Sequence, residues 1–128
     1  MTICFLFICM LFCHIVDDYY LQGVLASMKQ RHWWEENSPD PLYKHDYIVA
    51  LVMHSASWTF MIMLPLLIKQ GFYRSWLYII FFVINTITHC ATDNLKANEQ
   101  AINLVVDQSI HIIQIIATLV VFRLGGIV

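Results

Sequence analysis

Three pairs of residues spaced four apart define the chemistry open to this chain: His14 with Asp18, His89 with Asp93, and Asp107 with His111. On a helix, positions i and i+4 stand one above the other, so each pair offers an imidazole and a carboxylate on one face. His54, with Ser57 three residues on, adds a further imidazole. Gln22 extends the first stripe, Asn85 and Lys96 the stripe of His89, and Gln114 the last. Four histidines and three aspartates exceed the ligand set of a closed zinc site and suit Zn²⁺, Mn²⁺ or Fe²⁺. The pattern predicts one or two divalent ions, zinc first because the set is rich in imidazole.

The elements that must carry these residues are membrane helices. Of 128 residues, 59% are hydrophobic and 12% charged, and the mean hydropathy is +0.65. An ordinary soluble domain has about 25% charged residues. Apolar runs at 3–16, 47–68, 76–84 and 101–124 predict an all-α, integral membrane four-helix bundle. Its spans are expected at about 2–27, 46–68, 74–97 and 99–123, in one domain covering 1–128, each of about the length a bilayer requires. Short connections make sequence neighbours antiparallel. The one sizeable loop, from Lys29 to Asp46, contains Pro39 and Pro41, which stop a helix, and Trp33, Trp34 and Tyr43, which suit a membrane boundary. Asp46 is expected as the N-cap of the second helix, and Lys69, Gln70 and Gly71 as a turn.

The apolar start lacks the basic residues of a secretory signal, so it reads as a transmembrane helix. Cys4, Cys9, Cys13 and Cys90 have no metal-ribbon spacing and read as small packing residues. Seven basic and nine acidic residues, a net charge of -2, form no block that would suggest nucleic acid as a partner. Lys29, Arg31, Lys44 and Lys96 near one face against Lys69, Arg74 and Arg123 near the other leave the orientation open.

Depth supplies the strongest inference. At about 1.5 Å per residue, measured from the face where the first helix begins, His14 lies roughly 16 Å in, His111 about 18, His54 about 21, Asp18 and His89 about 22, Asp107 about 24 and Asp93 about 28. All seven fall in one layer, which independent core residues have no reason to do. Ionisable groups at that depth are costly and face the bundle interior. Metal binding, a hydrogen-bonded polar core and a proton or ion relay all fit such a layer. His32 and His45 read as loop histidines, Asp17 lies off the His14 stripe, and Trp58, Phe60, Met53, Met61 and Met63 read as packing or lipid-facing.

Four short motifs in this order resemble a family of small bacterial and phage integral membrane proteins of unassigned function. His14, Asp18, Leu21 and Gln22 carry the first motif, His54 the second, His89, Asp93 and Lys96 the third, and Asp107, Gln108 and His111 the fourth. Asp17 stands where that family more often has Gly. The resemblance implies the four-helix fold, the motif positions and a bacterial inner-membrane location, but no activity.

Two functional readings follow, with a structural membrane subunit as a third. In a metal-dependent hydrolase, a bound ion activates water, Asp93 or Asp107 takes the proton, and Lys96 stabilises an anionic lipid or amphiphile. No G-x-S-x-G nucleophile is present. In a divalent-metal or proton carrier, the same cluster needs a route on each side, which a homodimer could complete. The hydrolase predicts a pocket opening toward the 29–46 loop, rimmed by Tyr19, Tyr20, Trp33 or Trp34, with Lys96 at its mouth.

Overall fold

A computed structural model describes residues 2–70 and 75–126. These fold into six α-helices with no strands among the described residues: α1 (Ile3–Val16), α2 (Leu25–Met28), α3 (Arg31–Asn37), α4 (Asp46–Gln70), α5 (Ser75–Ala97) and α6 (Leu104–Leu124). Three segments are long and apolar enough to cross a membrane: Ile3–Leu21, Pro41–Gln70 and Leu104–Leu124. α5 is as long but less apolar on average, because Asn85, His89, Thr92 and Asp93 are all on it and all buried.

The first helix does not run unbroken to residue 27. After Val16 it continues through Asp17–Leu21 as a π-helical turn, closed by Gln22 N donating to Asp17 O at 3.1 Å. It stops before Gly23, whose φ of +48° lies in the left-handed region open to glycine. The 29–46 loop is also more ordered than the prolines imply. It contains α3 and a 3₁₀ turn, Pro41–Tyr43, capped by the Asp40 carboxylate accepting from Leu42 N at 2.8 Å. Asp46 is the first residue of α4 rather than its cap, and Lys69 and Gln70 are still helical. Gly71 and Arg74 lie outside the described residues. α6 begins at Leu104 instead of Glu99, where the Asn103 side chain accepts from Val106 N at 2.9 Å.

α4 packs against α1 and α5, and α6 packs against the same two helices. The core they share is divided along its length. Leu6, Met10, Ile62, Leu66, Ile115, Leu119 and Phe122 form one apolar cluster, drawn from the N-terminal part of α1 and the C-terminal parts of α4 and α6. A small polar layer lies against it: Asn85 Nδ2 donates to Thr118 Oγ1 at 2.9 Å, and Gln114 Nε2 donates to Asn85 Oδ1 at 3.3 Å. Outward faces are apolar, with Phe12, Ile79, Ile87 and Ile113 exposed. In water such surfaces would drive association, whereas lipid is their natural solvent.

The turn between α2 and α3 is tied to the end of α5. Asn98 Oδ1 accepts from Arg31 N at 2.7 Å, its Nδ2 donates to Lys29 O at 3.1 Å, and Trp34 Nε1 donates to Met28 O at 2.7 Å. These bonds fix the backbone beside Lys29, whose ammonium reaches Asp93 of α5.

Candidate metal centre

Every residue of the expected layer is buried: His14, Asp18, His54, His89, Asp93, Asp107 and His111. Their side chains also meet. Asp93 is the hub, with its Oδ2 at 3.3 Å from His54 Nε2 and its Oδ1 at 3.7 Å from His89 Nε2 and 3.6 Å from His111 Nε2. Asp18 meets two of the same imidazoles, with Oδ1 at 3.4 Å from His54 Nε2 and Oδ2 at 3.8 Å from His111 Nδ1. Asp107 Oδ1 stands 3.8 Å from His111 Nε2.

Three overlapping sets offer ligand atoms within 4.8 Å of one another: His14, Asp18 and His111; Asp18, His54 and His89; and His89, Asp93 and His111. These buried groups could hold a metal ion. Two observations fit a cation. His54 Nε2 and His89 Nε2 approach to 3.2 Å, a separation that two nitrogen lone pairs tolerate only with a proton or cation between them. Both ring nitrogens of His111, and Oδ1 of Asp107, are buried without a hydrogen-bond partner. Such orphans are costly unless something electropositive satisfies them.

Two lysines neutralise part of the cluster. Lys29 Nζ donates to Asp93 Oδ2 at 2.6 Å, and Lys96 Nζ donates to Asp107 Oδ2 at 2.6 Å. Lys96 is thus bound to a carboxylate instead of standing free at a pocket mouth. A groove of about 600 Å³ between α1 and α6 is lined by Tyr19 and Tyr20, together with His14 and Gln108. A separate one of about 620 Å³, beside Arg31, Trp34 and Lys44, lies under the α3 loop. Trp33 and Lys96 line neither of these two grooves, and the one beside the cluster opens laterally between α1 and α6.

The π-helical turn settles how two successive aspartates are used. On a regular helix Asp17 and Asp18 would diverge by about 100°. Here both are buried. Asp18 enters the cluster, while Asp17 lies behind His54, its Oδ2 at 3.9 Å from His54 Nδ1 and its Oδ1 accepting from Ser57 Oγ at 2.7 Å. Gln22 and Gln114, though on the expected stripes, stay out: Gln22 Nε2 donates to the backbone oxygen of Asp18, and Gln114 belongs to the Asn85 layer.

Sequence reasoning gave no site role to three contributors. Lys29 carries no local signal, because its place depends on the Asn98 tie. Gln108 is next to Asp107, and its Nε2 donates to both Asp18 Oδ2 and Asp107 Oδ2 at 3.0 Å. Trp58, read as packing or lipid-facing, is buried and stands four residues after His54 on the same face. Its ring stacks on His89 with centroids 4.1 Å apart, and its Nε1 donates to His14 Nδ1 at 2.7 Å.

The family described as "Protein of unknown function (DUF3307)" matches residues 6–126. The chain belongs to that family. The match includes every residue of the cluster, so the centre lies within the family's own domain. No curated protein matches the chain, and no solved structure does.

Proposed function

We propose that this protein is an integral membrane metal protein, an antiparallel four-helix bundle in a bacterial cytoplasmic membrane, that hydrolyses a lipid or amphiphilic phosphate or acyl substrate. Charge carries the reading. Four buried carboxylates, Asp17, Asp18, Asp93 and Asp107, face two ammonium groups, Lys29 and Lys96. With all of them ionised, the surplus is two negative charges in a low-dielectric interior, the amount that one divalent cation neutralises. His54, His89 and His111 supply nitrogen ligands, and Asp18 and Asp93 supply oxygens. Zinc suits that mixture best, with manganese and iron next.

The outward apolar face of α5, from Trp76 through Ile79, Val83 and Ile87, supports a fourth span in addition to the three apolar ones. Its low hydropathy comes from residues turned inward. The apolar cluster from Leu6 to Phe122 offers few polar groups to line a path to the far face, which favours chemistry over transport.

A divalent ion in this position would polarise a phosphoryl or acyl oxygen and bring the pKa of water toward 7. In this reading Asp107 Oδ1, buried without a hydrogen-bond partner, takes the proton. Lys96, about a third exposed and paired with Asp107, stabilises the substrate's anionic group in this reading. The lateral groove beside Tyr19 and Tyr20 supplies access for a substrate already dissolved in lipid.

Detergent-purified protein should contain about one divalent ion per chain by elemental analysis, and His89→Ala should lower that content. A panel of phosphorylated and acylated lipids should show turnover that chelator removes, while proteoliposomes show no metal flux. Absence of bound metal after growth in metal-supplemented medium would overturn the metal reading. Flux abolished by Asp107→Asn, with no lipid hydrolysed, would replace the hydrolase with a carrier.

A further inference from the structure

We propose that His14 and Trp58 are positioning residues rather than metal ligands: through Gln108 they clamp Asp18 of the π-helical turn to Asp107 of α6. The inference rests on the metal reading only for what the clamp serves; the direction of its hydrogen bonds stands on its own.

An indole N–H can only donate, so His14 Nδ1, 2.7 Å from Trp58 Nε1, must accept. Carboxylates can only accept when ionised, so Gln108 turns its NH₂ toward Asp18 and Asp107 and its Oε1 toward His14 Nε2, 3.0 Å away. The opposite amide orientation would set a carbonyl oxygen against two carboxylates. With Gln108 fixed, His14 Nε2 must carry the hydrogen. Both ends of this chain are therefore determined by residue type, and His14 is a neutral imidazole with both nitrogens engaged.

The geometry around His14 agrees. Its closest carboxylate oxygen, Asp18 Oδ2, is 4.0 Å from Nδ1, the nitrogen already taken by Trp58. His111 differs in having both nitrogens unpartnered. The ligand set is thereby narrowed to His54, His89 and His111 with Asp18 and Asp93, while Gln108 keeps Asp18 and Asp107 at a fixed separation. Groups that orient ligands in this way commonly change metal affinity by about 10–100-fold when removed.

Two measurements test this. In wild-type protein with ¹⁵N-labelled histidine in detergent micelles, His14 should show a protonated Nε2 and a bare Nδ1, both in metal-free protein and after Zn²⁺ addition. His54, His89 and His111 resonances should move with Zn²⁺. A His14 signal that shifts as theirs do, or one protonated at Nδ1, would overturn the proposal. With Co²⁺ as a spectroscopic probe, His14→Gln and Trp58→Phe should weaken binding about tenfold while leaving the ligand-field bands of the bound ion unchanged. The double variant should bind no more weakly than either single one. Bands altered in His14→Gln, or additive losses in the double variant, would also overturn it. The expected tautomer in a protein that binds neither Zn²⁺ nor Co²⁺ would support the clamp and refute the metal reading, so the two fail separately.

Discussion

Replacing His111 by Leu, a side chain of nearly the same volume, separates an ion centre from a purely hydrogen-bonded core. His111 is fully buried, and neither ring nitrogen has a hydrogen-bond partner. An unsatisfied buried polar atom costs about 1–3 kcal/mol, so in the absence of metal leucine relieves at most about 2–6 kcal/mol, part of which the carboxylates of Asp18, Asp93 and Asp107 at 3.6–3.8 Å already offset. Against this stands the loss of ring contacts to His14, at 5.7 Å, Trp58, at 5.3 Å, and His89, at 4.2 Å, each worth about 0.5–1.5 kcal/mol. The metal-free variant should therefore be the more stable protein by up to about 1.5 kcal/mol. With metal at a hundred times its Kd, wild type gains about 2.7 kcal/mol that the variant cannot. Thermal unfolding of both proteins in detergent, with and without chelator, measures the gap directly. Chelator should shift the gap by about 2.7 kcal/mol in the variant's favour. A gap equal under both conditions, with His111→Leu the more stable in each, would show that no ion stabilises the cluster.

The two lysines should differ in consequence. Lys29→Met strands Asp93 among three imidazoles and should cost about 3–5 kcal/mol, the usual range for breaking a buried pair; Lys96, more exposed, should cost less when replaced by Met, and chemical denaturation in mixed micelles gives the order. Asn85→Leu should destabilise by about 1 kcal/mol, since it removes the side-chain bonds to Gln114 and Thr118 while each keeps a backbone acceptor, Asn85 O and Gln114 O. Metal content in that variant should equal wild type by elemental analysis, because the Asn85 layer is separate from the cluster; a matching loss of metal would mean the two layers act as one site.

The cluster was legible because it obeys two periodicities at once. Four-residue spacing put His89 with Asp93 and Asp107 with His111 on shared faces, and a common depth brought four helices to one layer; both follow from the rise and pitch of a regular helix. What was not legible departs from that regularity or arises from contacts distant in sequence. The π-helical turn at Asp17–Leu21 inserts an extra residue into the ladder, and no feature of DDYYL alone distinguishes it from an α-helical turn; only the enclosing helices make burial of both carboxylates worth the poorer backbone geometry. Lys29 reaches Asp93 across 64 positions of sequence, held by an asparagine whose own loop begins where α5 ends. Trp58 is the instructive case: its spacing from His54 was visible, but an indole on an apolar helix reads as filler until the acceptor opposite its N–H is known. Type alone then settles the rest, since a donor-only indole at one end and acceptor-only carboxylates at the other leave His14 a single protonation pattern. Residue chemistry thus determined the direction of the chain of bonds, and only its connectivity required coordinates.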